Sequence, residues 1–383
     1  MEQSPLLKTS EPGKSSRTLF LDIARVVAIF LVCLNHAVNR SYSNYRNQMA
    51  EFLTTPAIST VFKTLCTVAS QFGVPLFLMI SGVLIMKKTI NSSGDIKKFY
   101  RHNLLGVFIT AEIWYVIFYW FLILAVPGYD HHLDNGIGPA IWGMVKTMLF
   151  LDQVTFDGMW YMPMILCVYA TIPFLIIAKD KLKSDKFSHV VLLPLGILYL
   201  VIMVLPAINA GLAMFNQPKL SLKIYEENLF PMFYIYIFAG YFVGQGGLSK
   251  FHTWFVSLVA VGLFGICCCI QFYAYSQPMQ YLIGYSFPLL PIAAAFLFEL
   301  FRRMAPLFQR LGPVISYVSR IAFGIYFVHI VIMTVLTIVM GDWDMSRPMR
   351  LMVYQTVSFA GSIAVIFPLT KIPVLRKYLF MFK

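Results

Sequence analysis

"RTLFLDIARVVAIFLVCLNHAVNR", residues 17–40, is long and apolar enough to cross a membrane, yet it contains Asp22, Arg25 and His36. A helix needs ~20 mostly apolar residues to span the hydrocarbon core of a bilayer. An ionisable side chain near the centre of that core costs at least ~2.5 kcal/mol, so it is retained where it has a partner or a function. The stretch therefore predicts a transmembrane helix whose polar residues face the interior of the protein.

The composition of the whole chain places it outside the soluble globular class. Hydrophobic residues make up 59% of the 383 residues and charged residues 12%, and the mean hydropathy is +0.73. Such values predict an all-α, polytopic membrane helix bundle. The segment 139–150 is too short to span and is predicted to be re-entrant or interfacial. Ten transmembrane helices are predicted near residues 18–38, 61–86, 102–125, 160–178, 189–209, 229–245, 252–273, 281–300, 315–339 and 351–370.

The net charge of +13 is explained by membrane topology. Most Lys and Arg residues lie in alternate connecting segments, and the positive-inside rule places those segments in the cytoplasm. An even number of spans with this charge distribution puts both termini in the cytoplasm, and nucleic-acid binding is not expected. Residues 1–17 are predicted to be a disordered cytoplasmic tail without a cleavable signal peptide. Residues 18–383 are predicted to be the transmembrane domain.

The spacing of the ionisable residues in the first span indicates a polar stripe. Asp22 and Arg25 are three residues apart and share a helix face. Arg25 and His36 are eleven residues apart, which returns to nearly the same side of the helix after ~16 Å of rise. This register suits a channel or a ligand path. The alternative is a helix inside the bundle whose polar groups bond to neighbouring helices.

A second polar stripe occurs in the ninth predicted span, "SRIAFGIYFVHIVIM", residues 319–333. Tyr326 lies three residues before His329, and Arg320 lies nine residues before it. Taken alone, His329 fits a hydrogen-bonded structural histidine as well as a catalytic one.

The second predicted span contains residues that alter helix geometry. Gly73 and Pro75 predict a kink, and Ser81 with Gly82 predicts a close helix contact.

Two basic clusters lie on the predicted cytoplasmic side: Lys97, Lys98 and Arg101, and Arg302, Arg303 and Arg310. Topology alone accounts for them. They also suit an anionic, phosphate-bearing ligand, and the sequence leaves both interpretations open.

No metal site or disulfide framework is expected. "DHHLD", residues 130–134, resembles a metal cluster but has no second ligand set at a fixed spacing. The consecutive Cys267, Cys268 and Cys269 lie within a predicted span, where they are interpreted as packing residues.

Four motifs in order resemble the acyltransferase-3 family of integral membrane acyltransferases, which O-acetylate or O-succinylate bacterial surface glycans. "LDIARVVAIFLVCLNH" is similar to the first span of the family, with Arg25 and His36 at its Arg and His positions. "GVPLFLMISGVLI", "MWYMPMILCVYATIPFL" and "FGIYFVHI" resemble elements of the second, fourth and late spans. The third span departs from the family pattern, because "KKFYRHNLLGVF" has only Arg101 where two or more arginines are common.

The resemblance implies transfer of an acyl group, most simply acetyl, from cytoplasmic acetyl-CoA or another acyl-CoA to a hydroxyl of a cell-surface glycan or its lipid-linked precursor. The enzyme would be a multi-pass protein of the cell membrane, surrounded by membrane lipid. With no extracytoplasmic esterase-like domain expected after Lys383, the membrane domain would transfer directly or pass the group to another protein. The acceptor, the acyl group and the oligomeric state are not predicted.

The site residues follow from these motifs. Burial favours a neutral imidazole at His36, which can act as a general base. A covalent acyl-histidine is the other mechanism that the sequence leaves open. The catalytic candidates are His36, Arg25 and His329. The donor-binding candidates are Arg101, Arg25, Arg302 and Arg303, and the substrate-binding candidates are Trp160, Tyr161, Tyr326 and Ser81.

Two other classes of function are compatible with polar stripes in a membrane bundle. A transporter or flippase for an anionic lipid-linked glycan would use the same residues to bind cargo, but the chain shows no matched pair of broken spans in its two halves. A structural or signalling domain would not need the Arg25–His36 register.

Overall fold

A computed structural model describes residues 14–42, 48–129, 133, 136–149, 158–181, 199–215, 217, 232–277, 283–341 and 343–381. Within these ranges the regular secondary structure is helical. The α-helices are α1 Lys14–Ser41, α2 Gln48–Thr54, α3 Ala57–Ser70, α4 Gly73–Ile85, α5 Ser93–Phe99, α6 Leu105–Ala125, α7 Ile137–Met148, α8 Tyr161–Lys181, α9 Leu205–Met214, α10 Met232–Gly244, α11 Thr253–Tyr275, α12 Leu289–Met304, α13 Gly312–Val339, α14 Arg347–Leu369 and α15 Pro373–Tyr378. Single π-helical turns, Tyr100–Leu104 and Leu200–Val204, precede α6 and α9, and the 3₁₀ turn Ala305–Leu311 precedes α13.

Helix α1 is the central element, because it packs against α3, α4, α12, α13 and α14. Ala24 and Ala28 are completely buried, and a Cβ placed on Gly73 of α4 would lie 2.9 Å from the Val32 nitrogen. Small residues allow this close approach. The polar stripe of α1 therefore faces other helices, as the sequence predicted.

Seven helical segments within the described ranges are long and apolar enough to cross a membrane. One of them, Leu289–Val339, is 51 residues long and contains the predicted span 315–339 and residues 289–300 of the predicted span 281–300. The others contain the predicted spans 18–38, 61–86, 102–125, 160–178, 252–273 and 351–370 in whole or in large part. The all-helical membrane class is thereby confirmed.

The fifth and sixth predicted spans are less complete. Residues 189–198 of the span 189–209 lie outside the described ranges, and α9 has 10 residues. Helix α10, in the predicted span 229–245, has 13 residues. Thirteen residues rise only ~20 Å, less than the ~30 Å of a bilayer core. The count of ten spans stays a prediction.

Three boundaries differ from those predicted. Helix α1 begins at Lys14, inside the predicted disordered tail, and residues 1–13 are outside the described ranges. Helix α12 begins at Leu289 rather than 281, because Pro288 stands at the start of the helix and the chain before it turns. In the predicted short segment 139–150, the structure has α7 with 12 residues, packed against α6.

The second predicted span is broken, and its predicted close contact is present. Helix α3 ends at Ser70 and α4 begins at Gly73. A Cβ on Gly82 would overlap the Ile237 carbonyl of α10, and a Cβ on Gly240 of α10 would overlap the Met79 backbone. Only glycine permits backbones to pack this closely.

Candidate active site

A cavity of about 430 Å³ runs along one side of α1. Arg25 and His36 both line it, at opposite ends of an eleven-residue interval that rises ~16 Å. The other walls come from α4, the π-turn with the start of α6, the turn before α8, α8 itself, α13 and the segment after α15. We call the region around Arg25 the Arg25 end and the region around His36 the His36 end. The stripe predicted from sequence borders a cavity.

The Arg25 end is built on a four-residue polar cluster between α1 and α13. Asp22 Oδ1 lies 3.5 Å from Arg25 Nη1, so the predicted pair forms. Arg25 Nη1 donates to Ser319 Oγ at 2.9 Å, and Ser319 donates to Asp22 at 2.6 Å. Ser316 donates to the second Asp22 oxygen at 2.8 Å. These bonds hold the guanidinium at the cavity wall.

The two predicted histidines meet at the other end. The ring centroids of His36 and His329 are 5.3 Å apart, with the planes inclined by 52°. His329 is completely buried and does not line the cavity, whereas His36 is half-buried and does. His329 Nδ1 lies 2.8 Å from the Ile325 carbonyl, which only accepts, so Nδ1 carries the proton. His329 is thus a buried ring packed behind His36, with its Nδ1–H bonded to the backbone.

A glycine turn packs directly against the His36 ring. Gly158 has φ +84°, a conformation that favours glycine, and a Cβ built there would lie 2.9 Å from His36 Nε2. The Tyr326 hydroxyl donates to the Gly158 carbonyl at 2.7 Å. Tyr326 thereby holds the turn against the His36 imidazole.

Ser81 lies toward the Arg25 end rather than beside His36. Gly73 contacts the Ala28–Val32 turn of α1, and Ser81 is eight residues, or ~12 Å, further along α4. Its hydroxyl lies 3.2 Å from the Tyr169 hydroxyl, and Tyr169 is close enough to interact electrostatically with Arg25. The two hydroxyls form a polar pair on the cavity wall, between the Arg25 end and the His36 end.

Aromatic side chains line the His36 end. Trp160 is 43% exposed, and its ring stacks on Phe233 with centroids 5.9 Å apart. Tyr285 packs against it in a tilted arrangement, with centroids 5.6 Å apart. Tyr161 packs on Tyr326 at 5.7 Å. Tyr285 is brought here by the turn before α12. Phe233 and Tyr285 hold the Trp160 ring in place, so its flat face forms part of the cavity wall.

Lys88 and Asn103 stand at the mouth of the Arg25 end. Lys88 Nζ donates to Asn103 Oδ1 at 3.1 Å, and both residues line the cavity. Asn103 lies in the π-turn, which breaks the register of the third span. Such turns are frequent at functional sites. Arg101, in the same turn, is exposed and does not line the cavity.

Arg302 and Arg303 point to a different part of the protein. Both guanidinium groups bond the buried Glu299 carboxylate, at 2.6 Å and 2.7 Å. Arg303 also donates to the Leu248 carbonyl and to Thr253. Neither arginine lines the cavity. The structure gives them a packing role at the α11–α12 contact.

Metal-type clusters of three or more His, Cys, Asp or Glu side chains are not found among the residues that the structure describes. Of the "DHHLD" segment, only Leu133 falls within the described ranges.

Several cavity residues were missed from sequence. Lys88, Asn103, Gly158, Tyr169 and Tyr285 lie on five separate elements that only tertiary packing brings together. Gly158 had a usable signal, since it directly precedes the Trp160 motif. Asn103 had another, as a polar residue at the start of a predicted span.

The helices and the cavity that Arg25 and His36 line define a polytopic helical membrane protein with a candidate catalytic site. A family model described as an acyltransferase domain, Acyl_transf_3, matches residues 18–371. The chain belongs to the acyltransferase-3 family, as the motifs indicated, and it is a membrane acyltransferase. No curated protein and no solved structure gives a significant match.

Proposed function

We propose that this enzyme transfers an acyl group, most simply acetyl, from cytoplasmic acyl-CoA to a hydroxyl of a cell-surface glycan or its lipid-linked precursor. The observation that carries the proposal is the cavity that joins Arg25, Lys88 and Arg320 at one end to His36 at the other. Family membership supplies the reaction class. No observation on the described residues favours the transport alternative.

The charge of the cavity suits an anionic donor. Three permanent cations line the Arg25 end, and no carboxylate lines the cavity among the described residues. Arginine and lysine bind phosphate through charge-assisted hydrogen bonds. We assign the phosphate-bearing end of acyl-CoA to Arg25, Lys88 and Arg320. Arg302 and Arg303 are not retained as donor contacts, because their guanidinium groups bond Glu299.

The thioester then lies toward His36. A neutral His36 ring nitrogen takes the proton of the acceptor hydroxyl as its oxygen attacks the thioester carbonyl. The new C–O bond forms, the C–S bond breaks, and the CoA sulfur takes the proton back from the imidazolium. His329 orients the His36 ring, since the two rings pack with their centroids 5.3 Å apart.

The acceptor enters at the His36 end. Trp160 offers an exposed aromatic face there, and Tyr161 and Tyr326 form the adjoining wall. Aromatic faces pack against the apolar faces of sugar rings. The Ser81–Tyr169 pair would contact the middle of the donor.

The proposed topology has ten spans in the cell membrane with both termini in the cytoplasm. The positive-inside distribution supports this orientation. It places the Arg25 end on the side where acyl-CoA is made.

Acyl transfer from radiolabelled acetyl-CoA, with succinyl-CoA in parallel, tests the proposal in membranes that contain the wild type or His36→Ala. The wild type is expected to label envelope glycan. His36→Ala is expected to transfer acetyl groups at least ~100-fold more slowly, because a general base contributes about that factor or more to the rate. His252→Ala, an exposed histidine outside the cavity, is the matched control and should keep full activity. Undiminished transfer by a normally expressed His36→Ala enzyme would refute the base assignment.

A further inference from the structure

Residues 379–381, here called the strap, return from α15 to the Arg25 end of the cavity. Most residues of α15 are exposed, but Phe380 is 1% exposed. Phe380 and Met381 both line the cavity. The strap therefore forms part of the cavity wall, although it comes from the far end of the described chain.

The side chains of the strap and one hydrogen bond to its main chain hold it in place. A Cβ built on Gly324 would lie 2.6 Å from Phe380 Cδ1, so only glycine leaves room for this ring. Trp114 Nε1 donates to the Leu379 carbonyl at 3.0 Å, and its ring stacks on Phe327 with centroids 4.9 Å apart. Gly324 and Phe327 belong to α13, which also carries the buried histidine of the site. Leu379 and Met381 are partly buried against the same hydrophobic core, so the strap is closed on the cavity wall in this structure.

Met381 stands at the mouth in a rarely adopted backbone conformation. Its φ is +50°, within the left-handed region that non-glycine residues seldom occupy. A Cβ built on Gly106 would lie 3.1 Å from Met381 Cε, so the thioether reaches the start of α6 near Asn103. Backbone outliers of this kind cluster at ligand clamps and switch regions. The flexible methionine can adapt its shape to a ligand.

The mouth thus has two chemically different walls. Lys88 and Asn103 present a cation and an amide, and the strap presents Phe380 and Met381. A ligand with a charged end and an uncharged, flexible arm fits between such walls.

We propose that Phe380 and Met381 are donor-contacting residues, and that the strap opens to admit acyl-CoA and closes on its pantetheine arm. The inference rests on the proposed function, because it takes acyl-CoA as the occupant. It adds a gate and a specificity element that no sequence motif indicated.

Thiol modification of a Met381→Cys enzyme tests the closure directly. Inside-out membrane vesicles are treated with a membrane-impermeant maleimide, with and without acetyl-CoA, and the wild type gives the background from its own six cysteines. Acetyl-CoA is expected to slow the labelling of Met381→Cys about tenfold, as expected for a site mostly occupied by ligand. Tyr378→Cys, on α15 next to the strap but outside the cavity lining, should react at an unchanged rate.

Steady-state kinetics supply a second test. Met381→Ala is expected to raise KM for acetyl-CoA about fivefold and to leave kcat unchanged, because it removes apolar contact made equally in the ground and transition states. Met352→Ala, an exposed methionine on α14, is the matched control.

The two possible failures are distinguishable. If the wild type transfers acetyl groups while Met381→Cys reacts equally fast with and without donor, the strap proposal is wrong and the proposed function stands. If the wild type neither transfers acetyl groups nor protects Met381→Cys, the donor assignment is wrong and the strap proposal is overturned with it.

Discussion

Two groups of charged residues within the described helices differ in how much open space lies beside them. Lys63, on α3, is 4% exposed, and its Nζ lies 3.2 Å from the Glu51 carboxylate. Glu51 also pairs with Arg347, and the Tyr275 ring faces Lys63 Nζ at 4.2 Å. The space beside this group is about 10 Å³. The Arg25–His36 group instead borders a cavity of about 430 Å³.

The difference separates structural charges from functional ones. A buried charge without a counterion is strongly destabilising, so the closed Lys63 group connects α2, α3 and α14 by mutual pairing. Arg25 has a partner in Asp22 but keeps a face toward open space. From the sequence alone, Lys63 and Arg25 cannot be told apart, because each is an ionisable residue in a predicted span. Only the volume beside them distinguishes the two roles.

The largest expected effect comes from breaking the closed group. Glu51→Gln should lower the free energy of unfolding by about 3 kcal/mol, because Lys63 then remains buried without a carboxylate. Thermal unfolding of the purified protein in detergent measures the loss. The activity of each folded molecule should not change.

A double variant is the control for this prediction. Glu51→Gln with Lys63→Met should recover part of the lost stability, since no unpaired lysine remains. An unchanged unfolding temperature in Glu51→Gln would contradict the structural role of the pair.

Removing the Arg25 cation should instead lower activity. Arg25→Gln is expected to lower kcat/KM for acetyl-CoA about 30-fold, or ~2 kcal/mol, as for loss of a hydrogen bond to a charged group. Arg302→Gln, whose partner Glu299 lies outside the cavity, should lower stability and leave kcat/KM near the wild-type value. Equal kinetic losses in both variants would show that the donor also contacts Arg302.

A smaller loss is expected when the glycine turn is released. Tyr326→Phe removes the hydrogen bond to the Gly158 carbonyl, which is worth about 1 kcal/mol, or about fivefold in kcat. Tyr354→Phe removes a similar bond to Thr337 outside the cavity and should leave kcat unchanged. If both variants keep the wild-type kcat, Tyr326 does not position the turn for catalysis.

The smallest effect is expected at the mouth. Lys88→Ala should raise KM for acetyl-CoA about threefold with kcat preserved, because a solvated charge contact contributes up to ~1 kcal/mol. The increase should shrink at high salt, where exposed charges are screened. The exposed Lys250 provides the matched alanine control. A salt-independent KM in the wild type would count against a phosphate contact at Lys88.

Helical periodicity was sufficient to predict the central feature of the site. The eleven-residue interval from Arg25 to His36 is a local property of one helix, and the structure places both residues on one cavity. The break in the second span and the close contact at Gly82 were also local, since they depend on glycine and proline.

Long-range packing accounts for what the sequence did not show. Tyr285 reaches the cavity through a turn that the hydropathy pattern assigned to a helix. The strap contacts Trp114, although more than 250 residues of sequence separate them. Arg302 and Arg303 have the composition of a phosphate site, but Glu299, three and four residues before them, binds both. Charge patterns cannot show which pairings a fold selects.

A structure of the enzyme determined with acetyl-CoA tests the central claim most directly. The account predicts donor density in the cavity along α1, with phosphates at Arg25, Lys88 and Arg320 and the thioester beside His36. Density for the donor outside this cavity, with His36 out of reach of the thioester, would contradict it.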